Sequence, residues 1–94
     1  MSKQVKPRHL EDSSTPGLES AFGEVLRLHR RALKLSQEEF AVELGMDRTY
    51  ISLIERGLRR PSLGSIFEFA QRFGMRASDL IREVEQRMEE ITAS

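Results

Sequence analysis

Between Ser36 and Gly57 the start and stop signals lie so close together that only two short helices fit between them. Ser36-Gln37-Glu38-Glu39 is a capping box: the serine hydroxyl takes the amide of Glu39, and the Glu39 carboxylate returns to the amide of Ser36. A helix therefore starts at Gln37, with Phe40, Ala41 and Leu44 turned inward. Gly45 ends it, because glycine accepts the left-handed backbone that a tight exit demands. Two residues later Asp47 is an N-cap for a second short helix, Arg48 to about Arg56, stopped by Gly57. Ile51 and Ile54 anchor that helix and leave its other face free. Ala41 is small where the two helices must cross closely.

Helical periodicity extends to both sides. Phe22, Val25, Leu26, His29 and Leu33 predict a preceding helix of about three turns from Ser20 onward. His29 reads as a core-edge residue, with no second histidine or carboxylate at metal spacing. After the basic loop Leu58-Arg59-Arg60-Pro61, Ser62 caps a fourth helix with Leu63, Ile66, Phe67, Ala70 and Phe73 on one face. Gly74 closes it. Ser78 opens a fifth, carrying Leu80, Ile81, Val84, Met88 and Ile91. No strand pattern competes, so the expectation is an all-α domain over residues 20–94. Residues 1–19, with the breaker run Ser13-Ser14-Thr15-Pro16-Gly17, read as a flexible tail. Its other readings are a basic arm (Lys3, Lys6, Arg8) reaching into a DNA groove, or a segment packing on a protein partner.

Composition narrows the function. The 94 residues contain no cysteine, which excludes disulfides and thiolate metal sites. No nucleophile–base pair, metal cluster or glycine-rich phosphate loop is evident. Glu38-Glu39 and Glu89-Glu90 are adjacent on helices and point apart, so no enzyme, metal or cofactor is expected. No apolar run approaches membrane-spanning length, and Met1 to Pro7 lacks a signal-peptide core, so a cytoplasmic location is expected. Net charge is zero, which argues against nucleic-acid binding, but the charge is unevenly placed. Residues 22–60 hold eight basic and six acidic side chains; residues 61–94 hold four and six.

Two helices joined by three residues, with a helix before and two after, form a helix-turn-helix. The stretch from Leu26 to Leu80 resembles the Cro/CI-type (XRE) helix-turn-helix family. The residues that carry the resemblance are Leu35 to Ala41, Gly45, Tyr50 to Gly57, and Arg60-Pro61-Ser62-Leu63. Within it, Arg48 to Ser52 followed by Ile54 to Gly57 is similar to the controller proteins of restriction-modification systems, small dimeric regulators of their own promoter and of an endonuclease gene. The resemblance implies a five-helix, lambda-repressor-like fold with the third helix in the major groove of double-stranded DNA.

In that geometry Arg48, Thr49, Ser52 and Leu53 meet base edges. The Arg48 fork suits guanine, Thr49 a hydrogen bond or a thymine methyl, and Leu53 either a methyl contact or packing. Gln37 at its helix start is expected on a phosphate, as the family often uses it. Tyr50 either bonds a phosphate or packs beside the turn. Arg56, Arg59 and Arg60 are expected on phosphates, and Glu55 in a structural pairing with a nearby arginine. One such domain buries little DNA surface, so a homodimer on a palindromic operator is expected. Ile81, Val84, Met88 and Ile91 form a short heptad-like stripe, read as a dimer seam with coverage of the chain's own core as the alternative. Rival readings are an antitoxin- or phage-type repressor that also holds a protein partner, and a protein adaptor that binds no DNA.

Overall fold

A computed structural model describes residues 17–93, among which the regular structure is five helices: α1 Leu18–Ala32, α2 Gln37–Leu44, α3 Arg48–Glu55, α4 Leu63–Arg72 and α5 Ala77–Ala93. Nearly all of the tail, residues 1–16, lies outside the described residues. The first helix begins at Leu18, two residues before the expected start, and Gly17 precedes it with a φ of 81° and no side-chain cap. Without a capping side chain there was no local sequence signal for that start.

α1 and α5 run antiparallel and form the scaffold. Ile91 lies against Gly17, Arg87 pairs with Glu24 at 2.6 Å, and His29 Nε2 meets Glu83 Oε1 at 2.7 Å. His29 also stacks on Phe73, with ring centroids 4.8 Å apart, so it sits at the core edge between α1, α4 and α5. The core is built from Phe22, Leu26, Phe40, Ile51, Ile54, Phe69, Leu80 and Val84. Phe69 is its aromatic centre, 6.1 Å from Phe22 and 5.8 Å from Phe40.

The inward face of α4 differs from the expectation. Ala70 is buried as expected and Ile66 and Phe73 are half-buried against the core, but Leu63 and Phe67 are exposed, and Ser65 and Phe69 are buried in their place. Phe67 and Phe69 lie two positions apart, about 200° around a helix, so only one can face the core. Phe69 takes that place because it meets Phe22 and Phe40 there.

Candidate nucleic-acid interface

The α2–turn–α3 unit follows its local signals. Ser36 Oγ accepts from the amide of Glu39 at 3.0 Å, and the Ser36 amide donates to Glu39 Oε1 at 2.8 Å. Gly45 has φ 66° and ψ 30°, a conformation that costs other residues a Cβ clash. Asp47 Oδ1 accepts from the Thr49 amide at 2.8 Å and starts α3. α3 buries Ile51, Ile54 and Glu55 and turns its other face to solvent. Arg48, Ser52 and Arg56 follow at i, i+4 and i+8 on that face, with Thr49 and Leu53 beside them. Arg48, Thr49 and Arg56 are exposed, and Ser52 and Leu53 are half-buried.

What aims this face is an ion pair beneath it. Arg30 Nε donates to Glu55 Oε2 at 2.6 Å and Nη2 to Oε1 at 2.8 Å, while Nη1 reaches the Leu35 carbonyl at 2.7 Å. The Gln37 amide nitrogen adds a hydrogen bond to Glu55 Oε1 at 3.0 Å, and Arg27 donates to the Glu55 carbonyl at 3.2 Å. Glu55 is therefore structural, as its sequence position implied. Burial alone would push its carboxyl up, but the hydrogen bonds from Arg30 and Gln37 and the charges of Arg30 and Arg27 hold it below the ordinary range. The network joins α1, the first residue of α2 and the last of α3. It draws the Gln37 side chain toward α3.

The loop after α3 is equally tied down. The Tyr50 hydroxyl accepts from the Ser62 amide at 2.9 Å and shares a hydrogen bond with Ser65 Oγ at 2.9 Å. Tyr50 thus packs beside the turn with its hydroxyl taken up internally. These bonds brace the α3–α4 loop, the packing alternative of the two readings of Tyr50. Burial would raise the phenol, but Ser65, Ser62 and the nearby Arg59 charge together lower it. The Arg59 guanidinium lies over the Tyr50 ring, 5.2 Å from its centroid. Arg60 is ion-paired with Glu19 of α1, and that hydrogen bond lowers the Glu19 carboxyl. Glu19, Arg30 and Ser65 lay outside the sequence-level site, since no spacing rule links residues so far apart along the chain.

Half of the lysines and arginines among the described residues are matched. Arg27, Arg30, Arg60, Arg72, Arg82 and Arg87 all stand within ion-pair distance of carboxylates. Among the described residues six basic side chains enter no ion pair, Arg31, Lys34, Arg48, Arg56, Arg59 and Arg76, and three of them, Arg48, Arg56 and Arg59, lie on α3 or directly after it. No group of three or more histidine or acidic side chains among the described residues is placed to hold a metal.

The α5 stripe divides. Val84 is 1 % exposed within the single chain, so its side chain belongs to the core and not to a seam between chains. Met88 and Ile91 are half-buried against that core, and Ile81 remains on the surface. The stripe's inner edge is consumed by α1, which lies along it.

A helix-turn-helix family model matches residues 26–80. The control protein C.MunI of a Mycoplasma species is 38 % identical over 66 residues, covering 69 % of this chain and 89 % of that protein. The clp gene regulator ClgR from Corynebacterium glutamicum superposes with a TM-score of 0.76 at 25 % identity, covering 84 % of each chain. The restriction-modification controller protein C.Esp1396I, solved as a tetramer with its natural 35 base-pair operator, superposes with a TM-score of 0.66 at 25 % identity, covering 82 % of this chain and 97 % of that one. The chain belongs to the helix-turn-helix family of Cro/CI (XRE) type, and is a DNA-binding transcription regulator akin to the controller proteins.

Proposed function

We propose that this chain acts as a homodimer on an operator of two-fold related half-sites, as the controller of a restriction-modification system. The observation that carries the DNA mode is a cluster: Arg48, Arg56 and Arg59, three of the six basic side chains that enter no ion pair among the described residues, all stand exposed on α3 or directly after it. An arginine left unpaired beside an anchored helix is available to a base edge or a phosphate. Arg48, Thr49, Ser52 and Leu53 read bases in the major groove, and Arg56, Arg59 and Gln37 hold the backbone. Arg60 joins them by exchanging Glu19 for a phosphate. The controller reading draws support from the likeness to C.MunI and to C.Esp1396I, which assembles on its operator. The half-sites are then about 34–36 Å apart, one turn of the duplex.

The test is anisotropy-monitored binding to the DNA upstream of the chain's own gene, across a salt series, with wild type and Arg48→Ala. Tight binding that weakens steeply with salt, and loses its sequence preference in the variant, supports the assignment. Weak binding that is equal on random DNA and indifferent to Arg48 would remove it.

A further inference from the structure

Of the three unpaired cations that lie away from α3, Arg31 and Lys34 stand together. Both are exposed, on the last turn of α1 and in the loop to α2, three positions apart. Arg27, one helical turn before Arg31, joins them to α3. Arg27 and Arg31 border one recess, with Glu24 and Leu28, and Arg27 and Arg56 border the next, with Glu55. Arg27 Nη2 also donates to the Glu55 carbonyl at the end of α3, at 3.2 Å. Arg56, Arg27, Arg31 and Lys34 therefore form a continuous line from the end of α3 to the loop before α2. The two carboxylates beside that line are engaged. Glu55 is held by the two bonds from Arg30, and Glu24 by Arg87 at 2.6 Å. The cations of the line thus keep an excess of positive charge.

Lys34 adds a backbone observation. Its φ is 61°, and every other described residue with positive φ is a glycine: Gly17, Gly45, Gly57 and Gly74. The conformation closes α1, with the Lys34 amide donating to the Arg31 carbonyl at 2.9 Å and the Leu35 amide to that of Arg30 at 3.4 Å. Glycine would make the same turn without steric cost. A lysine bears the strain there, and what it adds is an exposed, unpaired charge at the edge of the recognition unit.

We propose that Arg31 and Lys34 hold phosphates of the duplex beside the groove that α3 enters, so that α1 and the loop after it form a second backbone track. The inference rests on the DNA-binding mode above and extends it to a helix outside the helix-turn-helix. Continuity with Arg56 and the excess of positive charge favour a polyanion over an apolar protein partner, although Leu28 is 68 % exposed beside Arg27 and Arg31. From Arg27 to Lys34 the chain rises about 10 Å at about 1.5 Å per residue. That length matches about three phosphates of one strand, at about 3.4 Å of duplex axis each. Such contacts add affinity and fix the approach of α3 without reading bases.

The test measures anisotropy of the full chain on operator and random duplexes of equal length, across a salt series. It compares wild type, Arg31→Ala, Lys34→Gly, their double variant and Leu28→Ala, with a thermal melt of each. Each single cation variant should lower the slope of log affinity against log salt by about one, and the double by about two, on both duplexes. Affinity at low salt should fall about tenfold in the double variant, with the preference for operator retained. Lys34→Gly should melt above wild type because it relieves the strained backbone, so its loss of affinity cannot come from loss of folding. Leu28→Ala should keep the wild-type slope. Slopes unchanged in Arg31→Ala and Lys34→Gly, or lowered equally by Leu28→Ala, would overturn the track while leaving the α3 reading in place. A wild type indifferent to Arg48 would remove the α3 reading, and the slopes of the cation variants would still decide the track.

Discussion

Arg30 and Glu55, twenty-five positions apart in sequence, meet in a two-pronged ion pair of 2.6 and 2.8 Å beneath α3. Both side chains are almost fully buried, and Gln37 and the Leu35 carbonyl take up further hydrogen-bonding capacity of the pair. Breaking such a pair from one side leaves an uncompensated buried charge. Glu55→Ala should therefore lose about 3–5 kcal/mol in urea unfolding. Replacing both partners with well-packed apolar residues should cost far less, and a double-mutant cycle measures the difference.

The same pair predicts the acid side of the stability profile. The Glu55 carboxyl is held below its ordinary value of 4.5 in the folded chain, so the unfolded chain takes up the proton more readily. The stabilisation is complete above the ordinary value and is lost as pH falls through the folded one. The lowered Glu19 carboxyl acts in the same direction. Urea midpoints measured from neutral to acid pH should decline for wild type. Glu55→Gln should start lower and decline less steeply.

Tyr50→Phe separates a structural hydroxyl from a DNA ligand. Losing the bonds to Ser62 and Ser65 should cost about 1 kcal/mol or slightly more of stability. The slope of log affinity against log salt should not change. A slope reduced by about one would mean that the phenol sits on a phosphate after all.

Arg56→Ala and Arg59→Ala should each reduce that salt slope by about one, across all sequences alike. Glu19→Gln should act the opposite way. It releases Arg60 from its ion pair, so affinity at low salt should rise a few-fold. Anisotropy on random and operator DNA reads both effects.

Gly23 stands where α1 passes the end of α3. A Cβ there would lie 2.5 Å from the Ile54 carbonyl oxygen and 2.6 Å from that of Glu55, both fixed backbone. Gly23→Ala should destabilise by about 1–3 kcal/mol in thermal melts. It should also displace α3, lowering operator affinity more than the stability loss alone accounts for.

Much of the recognition unit was legible because its determinants are local. The capping box of Ser36 and Glu39, the left-handed Gly45 and the Asp47 cap act over two to four residues, and each forms the structure its spacing implied. Inward Ile51 and Ile54 follow from period alone. α4 shows where period stops: Leu63 and Phe67 share a helical stripe with the buried Ala70 yet stay exposed, while Phe69, outside that stripe, is buried, and a stripe does not say which neighbour it will meet.

The sequence by itself determined the order of the helices, the turn between α2 and α3, and which side of α3 is anchored, because hydrogen bonds between near neighbours decide these. Only the tertiary structure decided that Glu55 pairs with Arg30, that Arg60 is held by Glu19, that Val84 is core, and that Phe67 is left outside. Those outcomes depend on which helices come to lie against one another, a property of three-dimensional packing that no spacing along the chain records.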